Sequence, residues 1–190
     1  MTTSFLTPSE LAGIGFKACG DNVLISRRAS IYAPHNIGLG HHVRIDDFCI
    51  LSGGDFIRLG NYIHIAAYSA IYGGGGVEMG DFSGLSSRVI VYSESDDYTG
   101  RSLTNPMVPR KYKPNILSAP VIIGRHCIVG TGSTILPGVN VGEGTAIGAH
   151  SLVMKDCEEW KVLFGSPAKV IRNRRRDLLQ LEAQFLAENS

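Results

Sequence analysis

Three side chains stand where chemistry could be done. Asp96 and Asp97 are adjacent in the stretch VYSESDDYTG (91–100), and His64 lies in NYIHIAAYS (61–69). Neighbouring carboxylates raise each other's pKa, so one of the pair could serve as a base; together they could instead grip hydroxyl groups or an ammonium. A solvated acidic loop is the plainer reading of the same two residues. A histidine gives up or takes a proton near neutrality without tuning, which makes His64 the favoured general base, with Asp96 and Asp97 positioning an acceptor. An exposed strand histidine is the alternative for His64.

What positions these groups is a strict period. Written in sixes from Cys19, the chain gives CGDNVL, ISRRAS, IYAPHN and continues so to VMKDCE at 153–158, apart from two-residue extensions at 37–38, 57–58 and 77–78 and one long interruption. Seventeen of these eighteen hexads open on Ile, Leu, Val or Met, too regular for chance. Each coil of three hexads also begins with Gly second: Gly20, Gly40, Gly60, Gly80, Gly124 and Gly142. A six-residue period misses the 3.6 spacing of a helix and fits a short strand followed by a tight turn. First and fifth positions should share the interior, and the second-position glycines should supply unusual backbone angles at the corners. The object is an all-β parallel β-helix of six coils. Residues 20 apart become neighbours on one face, so Arg44 and Gly84 flank His64, with Ala66, Ala67, Ser86 and Ser87 beside it. Small residues around one large polar group make a recess.

The same map sets the organisation. Residues 1–18 form a cap, 19–96 four coils, 97–120 an inserted loop, 121–158 two coils, and 159–190 a tail and helix, all in one domain. The loop follows from count: Met79 to Ile123 takes 44 residues where earlier coils take 20. Long loops in compact repeats usually carry function. Thr7 caps a short helix with Pro8 in its first position, Glu10 three residues after the cap and Gly13 to stop it. From about Arg174, the spacing of Leu178, Leu181 and Phe185 predicts an amphipathic C-terminal helix.

Composition narrows the partners. A formal net charge of +1 over 190 residues argues against a nucleic-acid binder. No apolar run is long enough to cross a bilayer and the N-terminus lacks the pattern of a signal peptide, so no membrane and a cytoplasmic location are expected. Cys19, Cys49, Cys127 and Cys157 should all point inward as small apolar residues, without disulfide or metal. His41, His42, His126 and His150 fall on corners and His35 beside the two-residue corner extension, where exposure is ordinary.

The stretch IGRHCIVGTGSTILPGVNVGEGTAIGAHSLV (123–153), followed by GSPAKVIRNR (165–174), resembles the hexapeptide-repeat acyltransferases, and most their galactoside and maltose O-acetyltransferase branch. The resemblance covers 19–176. It implies a left-handed triangular prism, a homotrimer, and acetyl-CoA as co-substrate held between subunits, with no metal. Carried over by position, Thr131, Gly148 and Ala149 would line the pantetheine arm, and Lys169 and Arg172 would meet the nucleotide phosphates. Met154 replaces a threonine common in that branch. Ser86, Ser87 and Arg88 fall in the acceptor region. The branch places its catalytic histidine where this chain has Asp96, which is why His64 is sought as the base. The expected activity is acetyl transfer to a hydroxyl or amine of a sugar, in surface-polysaccharide or nucleotide-sugar synthesis. Arg101, Arg110, Lys111 and Lys113 of the loop suit an anionic, nucleotide-linked acceptor. An antibiotic acetyltransferase and a non-catalytic scaffold stay open beside it; a zinc carbonic anhydrase would need His64, His126 and His150 to converge.

Overall fold

The computed structural model describes residues 4–189. They form a parallel β-solenoid with three sheets, a short helix at one end and a longer one along the side. The first sheet stacks 18–19, 37–39, 57–59, 77–79, 121–123 and 140–141. The second stacks 24–25, 44–45, 64–65, 84–85, 128–129, 146–147 and Lys161–Phe164; the third stacks 30–32, 50–52, 70–72, 90–92, 134–135 and 152–153. Registers step by 20 residues, as in Ile45↔Ile65↔Leu85, so the predicted map holds. Strand N–H groups find carbonyls of the next coil and several corner N–H groups those of the preceding one, which satisfies buried polar groups without a wide sheet. First-position residues such as Ile25, Ile45, Ile65, Leu85, Val129 and Ile147 are buried, each contributing about 1.5–3 kcal/mol.

Four sequence expectations need correction. The second-position glycines are required by close approach: a Cβ on Gly20, Gly124 or Gly142 would come within 2.6–2.7 Å of the next coil's backbone. The left-handed backbone falls instead at fourth positions, and on side-chain-bearing residues, with φ of 58° at His42, 56° at Tyr62 and Phe82, and 64° at Tyr68. A seventh, shortened turn follows the six, with Cys157 bridging Val141 and Lys161–Phe164 pairing onto Ala146–Ile147, so Cys157 opens a turn. Cys49, Cys127 and Cys157 are buried, but Cys19 is exposed, because the first coil has none beneath it.

Helix α1 (Pro8–Ile14) has the predicted capping box, with Thr7 Oγ1 accepting from Glu10 N–H and the Glu10 carboxylate accepting from Thr7 N–H. Its stop is Gly15 at φ 82°, two residues beyond Gly13, where the left-handed angle excludes a side chain. Helix α2 (Leu178–Glu188) starts after the basic run. The chain leaves the prism after buried Ser93 and returns at Ala119, whose N–H donates to the Ser93 carbonyl. Between them, Glu94–Ser95 and Leu117–Ser118 pair antiparallel as the base of the long loop.

Candidate active site

The edge between the second and third sheets carries a trench. Its floor is the second- and third-position columns, Ala66–Ala67, Ser86–Ser87, Gly130–Thr131 and Gly148–Ala149, none larger than threonine over four successive coils. The Ser86 and Ser87 hydroxyls make no hydrogen bond among the described residues, although their backbones are fixed by Val129 and Gly132. Arg88 holds its guanidinium 5.7 Å from the Tyr68 ring and has no ion pair among the described residues.

His64 stands at one end of this trench, between Arg44 and Gly84 as its register requires. Its Nε2 lies 2.8 Å from Asp46 Oδ2, and Arg44 Nε donates to Asp46 Oδ1 at 2.7 Å. Burial works to raise the Asp46 pKa, but the hydrogen bonds from His64 and Arg44 outweigh it and hold the carboxyl below its ordinary value. An ionised Asp46 accepts the Nε2–H, and Nδ1 is then the basic nitrogen. Asp46 was missed in the sequence; it sits at a second position one coil before Ala66, so the 20-residue map contained it.

The loop carboxylates separate into two roles. Asp97 is consumed by its own turn: Oδ1 accepts from Thr99 Oγ1 and N–H, and Oδ2 from Arg101 N–H. These bonds, the Thr99 hydroxyl first, hold it below its ordinary value, opposite to the rise that adjacency to Asp96 suggested. Among the described residues Asp96 accepts only the Asn105 N–H, at 2.9 Å through Oδ2, and its Oδ1 lies 3.9 Å from the Lys113 ammonium. Lys113, with a side chain 10% exposed, also donates to the Asn105 carbonyl and so ties the loop across itself. Within one chain, no hydrogen bond or ion pair joins Asp96 or Asp97 to His64 among the described residues; the loop leaves from the edge between the third and first sheets.

At the other end of the trench, Lys169 and Arg172 lie on the terminal strand Lys169–Asn173, antiparallel to Lys161–Phe164. Both are exposed, and neither takes an ion pair among the described residues. The rest of the basic run has structural work: Arg174 donates to the carbonyls of His126 and Gly144, Arg175 pairs with Asp177, and Arg176 lies 5.0 Å over Trp160. Arg172, Arg174 and Arg175 line a cavity of about 350 Å³. His126 is 6% exposed rather than free on a corner, because α2 covers it and sets Glu182 3.0 Å from its Nε2. No cluster of three metal-ligating side chains occurs among the described residues, so His64, His126 and His150 do not converge.

The fold is the hexapeptide solenoid of an acyltransferase, and on it a strip of small residues runs between a histidine–aspartate pair and two cations without an ion pair among the described residues. The repeat model described as bacterial transferase hexapeptide (six repeats) matches residues 119–155. The dTDP-4-amino-4,6-dideoxy-D-glucose acyltransferase of Escherichia coli is 48% identical over 183 residues, 96% of this chain and 95% of that one. The structure of AntD, an N-acyltransferase from Bacillus cereus in complex with dTDP and 3-hydroxybutyryl-CoA, superposes with a TM-score of 0.95 at 48% identity, covering all of both chains. A maltose O-acetyltransferase from Clostridium difficile 630 shares the fold, with a TM-score of 0.61 at 20% identity over 88% of this chain and 75% of that one. The chain belongs to the hexapeptide-repeat acyltransferases, in the group of these full-length relatives.

Proposed function

We propose that the protein transfers a short acyl group from acyl-CoA to the amine of a dTDP-linked 4-amino-4,6-dideoxy sugar, as a cytoplasmic homotrimer. Acetyl-CoA is the first candidate donor, and the 3-hydroxybutyryl-CoA complex of AntD makes a longer chain the second. The observation that carries the reading is the trench, since a floor of Ala, Ser, Gly and Thr leaves room for an extended pantetheine arm on one prism edge. Thr131, Gly148 and Ala149 line that arm, and Lys169 and Arg172 meet the phosphates.

The acceptor amine attacks the thioester carbonyl, the C–S bond breaks and the thiolate of CoA leaves. The ammonium proton passes to Nδ1 of His64, while aligned reactants supply most of the rate. Asp96 grips the amine through Oδ1, which makes no hydrogen bond among the described residues and lies 3.9 Å from Lys113, and Asp97 holds the loop that presents it. A second copy would bring this loop against the first copy's His64, since the two leave different edges of one prism. Ser86, Ser87 and Arg88 contact the acceptor, Arg88 as a cation for its diphosphate. The serine and the aspartate that are replaced in AntD variants stand ten residues apart, as Ser86 and Asp96 do here.

The test mixes the protein with dTDP-4-amino-4,6-dideoxyglucose and acetyl-, propionyl- or 3-hydroxybutyryl-CoA, following free thiol and product mass. Thiol release that depends on the amino sugar, with an N-acylated product, is expected. No release with any of the three donors sinks the reading, and transfer to the 4-hydroxy analogue alone moves it to O-acylation.

A further inference from the structure

The second-edge column of small residues, Ala66, Ser86, Gly130 and Gly148, is closed at its far end by a large one. Phe164 ends the strand Lys161–Phe164, which continues the register Ala146↔Val162 and Ile147↔Leu163, so Phe164 falls one coil above Gly148. A Cβ on Gly148 would fall inside the Phe164 ring, so the glycine is what lets the ring lie flat at the trench head. Leu163 beside it turns inward and is buried, but Phe164 keeps 53% of its surface in solvent.

The cations share its face. Phe164 pairs with Lys169 and Val162 with Arg172 across the terminal hairpin, and cross-strand partners project to the same side. Phe164 has no aromatic partner and no cation over its ring among the described residues, in contrast to the stacked rings elsewhere on the prism. An open aromatic plane beside two unpaired cations is a site for a base joined to phosphates. Five coil steps of about 4.8 Å separate the Asp46 level from Phe164, so the base would lie about 24 Å from the reacting end.

We propose that Phe164 is the stacking platform for the adenine of the acyl-CoA donor, with Lys169 and Arg172 on the phosphates next to it. The inference rests on the acyl-CoA reading of the trench and adds the residue that reads the nucleotide. Calorimetric titration of the full chain with CoA and with 4′-phosphopantetheine, which lacks the 3′-phosphoadenosine and one phosphate, tests it. Wild type should bind CoA more tightly than phosphopantetheine. Phe164→Ala should weaken CoA roughly tenfold or more, the scale of one base–aromatic stack, and leave phosphopantetheine unchanged. Phe164→Trp should keep the affinity for CoA and shows that the site tolerates substitution. Equal weakening of both ligands, or of neither, in Phe164→Ala overturns the proposal. A wild type that binds phosphopantetheine but gains nothing from adenine overturns it too, with the trench reading intact. A wild type that binds neither ligand overturns the acyl-CoA reading itself.

Discussion

Two edges of the same prism, built from the same hexads, have been put to opposite uses. On the edge between the first and second sheets, fourth positions carry His42, Tyr62, Phe82 and His126, stacked at 4.6–5.4 Å. Helix α2 closes over them, with Phe185 edge-on to Tyr62 and Phe82, and Glu182 on His126 and Arg125. On the next edge the rings of Phe48 and Tyr68 stay exposed, the second- and third-position columns above them are small, and among the described residues the Ser86 and Ser87 hydroxyls make no hydrogen bond and Arg88 no ion pair. A solenoid repeats its backbone, so function is written by which edge is filled and which is left empty.

Filling the empty edge should have the largest effect. Ala149→Trp places an indole across the trench and is expected to lower kcat/KM for acyl transfer by roughly a hundredfold or more, with an unchanged melting curve; misplacement of bound reactants by an ångström costs about that. Retained turnover would mean that the donor lies elsewhere. Emptying the filled edge should do the reverse. Phe82→Ala removes a ring sandwiched between Tyr62 and His126 and should cost about 2 kcal/mol in urea unfolding while kcat stays near wild type.

His64→Ala probes the boundary between the edges, on the second sheet. It should lower kcat by roughly tenfold or more, at the low end for a lost base because a free amine is already nucleophilic. A smaller loss removes His64 as the base, and an unchanged pH profile would agree with that. The smallest effect belongs to the end cap, remote from both edges. Arg27 and then Thr7 hydrogen-bond the Glu10 carboxylate and lower its pKa from 4.5 to about 2. Its folded pKa is depressed, so its contribution is complete above about pH 4.5 and fades as pH falls towards 2. Glu10→Gln should therefore shift the melting temperature slightly at pH 7 and not at pH 2.

Much of this contrast could be read in the sequence, for identifiable reasons. The period was visible because first positions are almost all Ile, Leu, Val or Met, and the trench because small residues recur at the second and third positions of successive coils. Asp46 obeyed the same arithmetic. His126 was misplaced because the helix that buries it arrives 56 residues later through Glu182. The left-handed fourth positions gave no signal, since Tyr62 and Phe82 hold an angle usually left to glycine, stabilised by stacking that only the folded coils provide. Phe164 escaped because the hexad beat shortens in the seventh turn, and the role of Asp97 because its three bonds are made inside the loop.

The terminal hairpin has one more consequence. The top of a β-solenoid is a ready template on which another molecule could lay its own strands and extend the stack indefinitely. Here the last strand, Lys169–Asn173, runs backwards, carries a bulge opposite Val162 and Leu163, and sets Lys169 and Arg172 along the rim. A reversed, kinked and charged rim offers no matching register to a second prism. The segment proposed to hold the donor's phosphates thus also caps the second sheet against a strand added in parallel.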